Sequence, residues 1–225
     1  MVLNESYRMM PALPCPEKDA CILYLLRHAA TANNLLNPPL LQGCDQNPGL
    51  SEQGRQQASA TAQWLAEGNI STVYSSPLLR ATETASPIAK MHRISIVEIA
   101  DLIEADVGNW ADRHWEEIAR SEPDAYSRFM ENPDKHPYAG GESFGNVAER
   151  ILPAFDALLD RHAGESIVIV GHNVVNRIYL AKLAGIPISR SRHIKQSHCG
   201  INIIHRNGNH DQLITLNAIF HLAIH

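Results

Sequence analysis

Two continuous apolar runs stand out from the pattern of hydrophobic and polar residues along the chain. Residues 21–26, CILYLL, and residues 166–171, SIVIVG, are apolar at nearly every position. Such runs are typical of strands that are buried on both faces of a parallel sheet. Four shorter segments also predict strands, and the last two are expected to form a closing hairpin: 71–76, 94–99, 201–206 and 212–217.

Segments with helical spacing of apolar residues lie between these strands. Residues 51–68 predict a helix, with Ser51 as a suitable N-cap residue and Gly68 as its stop. Further helices are predicted at 142–161 and 173–184. Because strands alternate with helices, the chain is expected to form an α/β sandwich around a largely parallel sheet.

Proline and glycine mark the less regular parts of the chain. Residues 76–85 predict a helix with Ser76 as N-cap and Pro77 in the first helical position, and Pro87 is expected to kink or restart it. Residues 106–141 contain three prolines and a pair of glycines. They predict an insertion with one or two short helices, of the kind that covers a site.

Length and composition are those of an ordinary globular chain. Of the 225 residues, 44% are hydrophobic and 19% are charged, which is typical of one domain with a sizeable core. We interpret residues 1–20 as an irregular N-terminal extension and residues 21–225 as a single domain, with a lid insertion at about 106–141. The formal net charge of −5 gives no sign of the basic face that nucleic-acid binding requires.

The sequence contains no recognisable membrane span or secretion signal. No apolar run approaches the roughly 20 residues that a span needs, and the N-terminal residues lack a basic start and a sustained apolar stretch. The four cysteines have no zinc-binding spacing and are interpreted as free thiols. These features predict a cytoplasmic protein without nucleic-acid or membrane partners.

Charged and titratable residues follow several of the predicted strands directly. Arg27 and His28 follow the first strand, His172 follows the strand at 166–171, Arg80 lies one turn beyond the strand at 71–76, and Glu104 comes shortly after the strand at 94–99. In open α/β sheets, ligands bind beyond the carboxyl ends of the strands. The coincidence of two histidines, two arginines and a carboxylate at these ends therefore predicts a site.

The segments that carry these residues resemble a known family, the histidine phosphatase superfamily, also called phosphoglycerate mutase-like. LLRHAATANN is similar to the family's first motif, with Arg27, His28, Thr31 and Asn34 in register. Five further segments match in the same order along the chain: LSEQGRQQA (50–58), YSSPLLRATETA (74–85), LIEADVGNW (102–110), GGESFGNVAERI (140–151) and VIVGHNVVNRIYLAKLAGIP (168–187). The resemblance spans roughly residues 21–217 and implies a three-layer α/β/α sandwich with a mixed, mainly parallel sheet.

The resemblance also implies roles for individual residues. His28 would be the nucleophile that becomes a phosphohistidine, Glu104 the acid and base, and His172 a catalytic residue that also binds substrate. Arg27, Arg80 and Asn34 would bind the phosphoryl group, although Asn34 could instead have a structural role in its loop. No metal and no cofactor are expected, because the arginines neutralise the phosphoryl charge.

The residue types suit this chemistry on physical grounds. The two arginines can offer planar, charge-assisted forks to phosphoryl oxygens. A helix that opens at Asn173 is expected to add backbone N–H donors, and a protonated His172 would add a cation. His28 must be neutral at its attacking nitrogen, so its other ring nitrogen is expected to donate to a backbone carbonyl. Partial burial of Glu104 would favour the protonated form that an acid needs.

Some features near these motifs have other interpretations. Asp101 and Asp106 compete with Glu104 for the role of the acid. Ala29 and Ala30 stand where the family usually has Gly-Glu, and a positive φ at residue 29 would be strained. Trp110 and Trp115 are interpreted as packing residues. Several other histidines are interpreted as surface or strand residues: His193, His198, His205, His210, His221 and His225.

The sequence thus predicts a metal-independent phosphomonoesterase that acts through a phosphohistidine on a small phosphorylated metabolite. A phosphoglycerate mutase, which would return the phosphoryl group to its substrate, is the first alternative. A non-catalytic phosphate-binding protein is the second. The resemblance also suggests a homodimer.

Overall fold

A six-stranded sheet forms the centre of the protein in a computed structural model that describes residues 13–222. Across the sheet the strands follow the order β3-β2-β4-β1-β5-β6, and only β5 runs antiparallel to the others. In chain order the strands are β1 (Ala20–Arg27), β2 (Ile70–Ser75), β3 (Ile96–Glu98), β4 (Ser166–Gly171), β5 (Ile201–Asn207) and β6 (His210–Ala218).

The two continuous apolar runs of the sequence are β1 and β4, which pair in the middle of the sheet as expected for strands buried on both faces. Their register places Arg27 opposite Gly171, so both strands end at the same level. His28 and His172, the next residues of the two chain segments, therefore emerge side by side. The backbone N–H of His28 also donates to the carbonyl of Gly171 at 3.0 Å.

Helices cover both faces of the sheet and give the three-layer sandwich that the resemblance implied. Alternate β1 residues face opposite layers: Leu23 and Leu25 pack in one core, Tyr24 and Leu26 in the other. The first core includes α6 and α7, and the second includes α2 and α3. The helices are α1 (Ala32–Leu35), α2 (Glu52–Leu65), α3 (Leu79–His92), α4 (Trp115–Ser121), α5 (Pro123–Glu131), α6 (Phe144–Arg161) and α7 (Asn173–Leu183).

The N-cap predicted for one helix is confirmed, and the N-cap predicted for another is not. Ser51 caps α2 as predicted, because its side chain accepts the N–H of Gly54. The prediction that Ser76 caps the next helix is wrong, since α3 begins after Leu78 without a side-chain cap. Ser76 Oγ instead contacts His172 Nε2 at 2.7 Å.

Pro87 does not interrupt α3, which continues through it. Buried residues on both sides of Pro87 anchor the helix to the core.

The segment 106–141 contains α4 and α5, in addition to a short 3₁₀ helix at Gly108–Trp110. Its aromatic side chains pack on one another around Trp110, which is fully buried and donates its indole N–H to Glu122 at 3.0 Å. The ring of Phe129 lies 5.5 Å from that of Trp110 and 4.4 Å from that of Tyr138. Trp110 is therefore a packing residue, as predicted.

The N-terminal extension is described only in part. Residues 1–12 of the predicted extension lie outside the described residues. Leu13 packs against the core on the α2 and α3 side, and the carbonyl of Pro14 accepts a hydrogen bond from the Tyr24 hydroxyl. All four cysteines are free thiols in the structure. Among the described residues, no helix is long and apolar enough to cross a membrane.

Candidate active site

His28 and His172 form the centre of the candidate site at the carboxyl ends of β1 and β4. Their ring centroids are 5.2 Å apart, and both side chains are buried. His28 Nδ1 lies 2.7 Å from the carbonyl oxygen of Ala29 and donates to it. This hydrogen bond fixes the tautomer and leaves Nε2 with its lone pair, as the sequence analysis expected.

The surroundings of His28 hold it in the neutral form. Burial lowers the pKa of His28 well below its ordinary value, and the neighbouring charges of His172, Arg27 and Arg80 lower it further. A neutral imidazole with a free Nε2 is the form that a nucleophile requires.

Arg27 and Arg80 lie beside His28 with part of each guanidinium group unsatisfied. Arg27 Nη1 donates to the carbonyl of Gln196 at 2.7 Å, whereas Arg80 donates to the carbonyls of Gln46 and Gly43, each at 2.7 Å. The Nε atom of each arginine is buried and has no hydrogen-bond partner among the described residues. Buried donors of this kind are rare unless a ligand satisfies them, and an anion would satisfy both.

His172 contributes a third unsatisfied atom. Its Nε2 contacts the Ser76 hydroxyl at 2.7 Å, while its Nδ1 is buried and without a partner in the described part of the chain. Burial lowers the pKa of His172 well below its ordinary value, with Arg80 and Arg27 adding to the effect. These surroundings favour the neutral form of His172 and give no support to the additional cation considered from the sequence.

Glu104 lies at the amino end of α7 and is buried apart from 7% of its surface. Its Oε2 accepts the backbone N–H groups of Asn173 and Val174 at 3.0 and 3.2 Å, and its Oε1 accepts that of Ala105 at 3.0 Å. The expectation that this helix end would bind the phosphoryl group is therefore wrong, because a carboxylate of the protein already occupies those donors. Of the three acids in this segment, only Glu104 lines the pocket.

Asn34 has the structural role that the sequence analysis left open. Its Oδ1 accepts from the backbone N–H and the hydroxyl of Thr31, at 3.1 and 3.0 Å, in a capping box at the start of α1. Asn34 also lines the pocket, so its amide N–H₂ group is the part that can reach a ligand.

Ala29 and Ala30 shape the loop that follows His28. Both are fully buried, and neither has the positive φ that would strain an alanine. The N–H of Ala29 donates to the Thr84 hydroxyl at 2.9 Å, and that of Ala30 donates to Gln57 at 3.0 Å. An extended or helical backbone at these positions explains why the usual glycine is not needed.

A pocket of about 450 Å³ opens above these residues. Much of its wall comes from residues 34–43 and 104–144, and the second range includes the predicted lid at about 106–141. Trp115 stacks on Phe129 with ring centroids 5.8 Å apart, as the packing interpretation predicted, and it also lines this pocket. Sequence reasoning also missed three basic residues that line it: Arg177, Arg192 and His198.

The interpretation of His198 as a surface or strand residue is wrong. Its ring lies 5.9 Å from that of His28, its Nε2 is buried and unpartnered among the described residues, and burial lowers its pKa to about 3. His198 precedes β5, whose antiparallel direction brings its amino end to the site. His221 is also buried, against Thr61 on α2. The positions of His198 and His221 both depend on neighbours that are distant in the sequence. Only the strand order could have indicated the position of His198.

One group among the described residues has the spacing of metal ligands. Ligand atoms of Cys44, Asp45 and Asp106 lie within 4.8 Å of one another. Burial and the neighbouring carboxylates raise the pKa of Cys44 to about 11. Since a thiol binds metal as its thiolate, this group is a poor metal site.

The fold and the site together define an α/β protein built to bind a phosphoryl group beside a histidine. Residues 23–219 match the family model described as "Histidine phosphatase superfamily (branch 1)". The chain belongs to the histidine phosphatase superfamily.

Proteins of known name resemble the chain over most of its length. Phosphoserine phosphatase 1 of Hydrogenobacter thermophilus is 31% identical over 89% of this chain and 94% of its own. A metal-independent phosphoserine phosphatase of Arabidopsis thaliana is 34% identical over 84% of this chain and 78% of its own. The structure of an Entamoeba histolytica phosphoserine phosphatase in complex with 3-phosphoglyceric acid superposes with a TM-score of 0.80, 28% identity, and coverage of 90% and 99%. The family and these relatives show a phosphoric monoester hydrolase.

Proposed function

We propose that the protein hydrolyses phosphomonoesters through a phosphohistidine on His28, without a metal ion. The observation that carries the proposal is the set of unsatisfied buried donors around a neutral His28. Arg27 Nε, Arg80 Nε and His172 Nδ1 are buried without partners among the described residues. Three such atoms beside one free imidazole nitrogen suit the non-bridging oxygens of a phosphoryl group.

In the first step, the lone pair of His28 Nε2 attacks phosphorus and the bond between phosphorus and the ester oxygen breaks. The leaving alkoxide takes a proton from Glu104. The two arginines stabilise the charge on the transferring group, because their donors are already in place.

In the second step, Glu104 removes a proton from water, and the resulting hydroxide attacks phosphorus. The bond between phosphorus and His28 Nε2 breaks, which returns neutral His28 and releases inorganic phosphate. The backbone N–H groups of Ala105, Asn173 and Val174 stabilise the ionised Glu104 that acts as this base.

The names of the relatives point to phosphoserine as the first substrate to test. Both curated relatives carry that substrate in their names. The pocket of about 450 Å³ admits a small metabolite, and aromatic residues of 106–141 close one side of it.

The test compares His28→Ala with wild type and with His193→Ala, which removes an exposed histidine outside the pocket. Wild type and His193→Ala are expected to hydrolyse p-nitrophenyl phosphate and phosphoserine, in the presence or absence of EDTA, whereas His28→Ala is inactive. Quenching with alkaline detergent during turnover should trap an acid-labile, alkali-stable phosphoenzyme in wild type only.

Four results would contradict the proposal. Full activity of His28→Ala would remove His28 as the nucleophile, and loss of wild-type activity in EDTA would indicate a metal enzyme. Isomerisation of 3-phosphoglycerate without release of phosphate would show the mutase instead. Binding of inorganic phosphate without any turnover would favour the non-catalytic alternative.

A further inference from the structure

A second pair of arginines lines the pocket beyond the phosphoryl-binding residues. Arg177, on α7, donates its Nε to the carbonyl of Ile194 at 2.8 Å, so its two Nη groups have no acceptor among the described residues. Among the described residues, the Arg192 side chain donates only to the thioether of Met130, at 3.1 Å, which is a weak acceptor. Neither guanidinium group forms an ion pair with a described residue.

We propose that Arg177 and Arg192 bind the carboxylate of the substrate, so that the enzyme prefers phosphomonoesters that carry a carboxylate group. This inference rests on the proposed hydrolysis of phosphomonoesters at His28. Planar guanidinium groups bind carboxylates through paired, charge-assisted hydrogen bonds. An arginine at the wall of a pocket without a protein partner is the arrangement that such a ligand requires.

The spacing of the two arginine pairs agrees with one small substrate. Arg177 and Arg27 are anchored by carbonyl groups of the same segment, those of Ile194 and Gln196. The backbone is extended at Ile194, and two extended residues span about 7 Å. In phosphoserine or 3-phosphoglycerate, four covalent bonds separate phosphorus from the carboxyl carbon, a span of roughly 5 Å. The carboxylate of a substrate bound at His28 therefore reaches the Arg177 side of the pocket.

The positive charge of the side chains that line the pocket exceeds the negative charge of a phosphoryl group alone. Four arginines and one carboxylate, Glu104, line it. A phosphomonoester brings a charge of about −1.5 to −2 at neutral pH. Because Glu104 is protonated when it acts as the acid, the four arginines exceed the phosphoryl charge by about two, and a substrate carboxylate would lower this excess.

The experiment uses pairs of substrates that differ at the carboxylate. Phosphoserine is compared with phosphoethanolamine, and 3-phosphoglycerate with glycerol 3-phosphate. In wild type, kcat/KM is expected to be about 10- to 100-fold higher for the carboxylate member, which is the effect of charge-assisted hydrogen bonds. Arg192→Gln is expected to bring this ratio close to 1. The matched control is Arg190→Gln, since Arg190 is exposed on the same 3₁₀ helix, Ile188–His193, and lies outside the pocket.

A binding measurement separates this proposal from the proposed function. Calorimetry with 3-phosphoglycerate and glycerol 3-phosphate is performed on His28→Ala, with and without Arg192→Gln, after thermal unfolding has shown that each variant is folded. Weaker binding of the carboxylate member alone in the double variant supports the subsite, even if wild type shows no turnover. A wild-type ratio near 1 with equal binding of the two ligands would overturn it, and so would an equal loss for both members in Arg192→Gln.

Discussion

Gly54 supports the loop after His28, the proposed nucleophile, from a position outside the pocket. It lies in α2 against the backbone of Ala30, two residues after His28. A methyl group at Gly54 would overlap the carbonyl oxygen of Ala30 and lie 3.0 Å from its carbonyl carbon. Because carbon atoms in contact are normally about 3.5–4.0 Å apart, Gly54→Ala must displace the helix or the loop by about 0.5–1 Å.

Neither the helix nor the loop can move without loss. The carbonyl of Ala30 accepts hydrogen bonds from the N–H and the hydroxyl of Ser51, both at 2.9 Å, and these bonds join the loop to the start of α2. Replacing glycine by alanine inside a helix normally stabilises it by about 1 kcal/mol. Here we expect a net destabilisation of about 1–3 kcal/mol, the usual cost of overpacking.

The displacement is expected to lower kcat about 100-fold, because the backbone next to His28 would be misplaced by up to about 1 Å. The assay measures kcat with p-nitrophenyl phosphate and the free energy of unfolding in urea. Gly208→Ala serves as the control. Gly208 has φ +56° in the turn between β5 and β6, and a methyl group there meets nothing within 4 Å.

Gly208→Ala should cost about 1 kcal/mol of stability through its left-handed backbone and leave kcat unchanged. If Gly54→Ala instead kept the wild-type kcat and became more stable, as helix propensity alone would suggest, the argument that Gly54 positions the nucleophile loop would be refuted.

Two further predictions concern stability. Arg206 joins Asp156 and Asp211 at 2.6 Å each and is only 8% exposed, so Arg206→Met is expected to lower the free energy of unfolding by about 2 kcal/mol. Glu52→Gln, which breaks only an exposed pair with Arg55, should change it by less than about 0.5 kcal/mol. Equal effects of the two substitutions in urea denaturation would contradict the role of burial. Burial lowers the pKa of His221 from 6.5 to about 4, so the unfolded chain binds its proton first as the pH falls. Stability should therefore be fully present above pH 6.5 and decline between pH 6.5 and 4 by up to about 1.4 kcal/mol per pH unit for this group, and His221→Gln should make that decline measurably shallower.

The elements with a strong local signal were predictable from the sequence. The apolar side chains of β1 and β4 could be buried on both faces only in the middle of a sheet. The Ser51 cap depends on atoms that are three residues apart in the sequence. The Ser76 cap failed for the opposite reason. His172, which is distant in the sequence, contacts the Ser76 hydroxyl that the local sequence had predicted to cap the helix.

The same contrast between local signals and distant contacts applies to the residues of the candidate site. Arg27, His28 and His172 could be placed together because each lies at or directly follows the end of a parallel strand, and parallel strands end at one edge of the sheet. Arg177 and His198 were missed, since one lies inside a helix and the other in a loop before an antiparallel strand.

The sequence by itself determined the elements, the family and the phosphoryl chemistry, because these depend on periodicity and on residues close to strand ends. Only the tertiary structure decided which buried donors remain free. It assigned the N–H groups at the start of α7 to Glu104, and within residues 13–222 it left Arg27, Arg80 and His172 with unsatisfied atoms. The reason is physical: a hydrogen bond needs its partner within about 3 Å, and for these groups the partner, or its absence, depends on segments far apart in the chain.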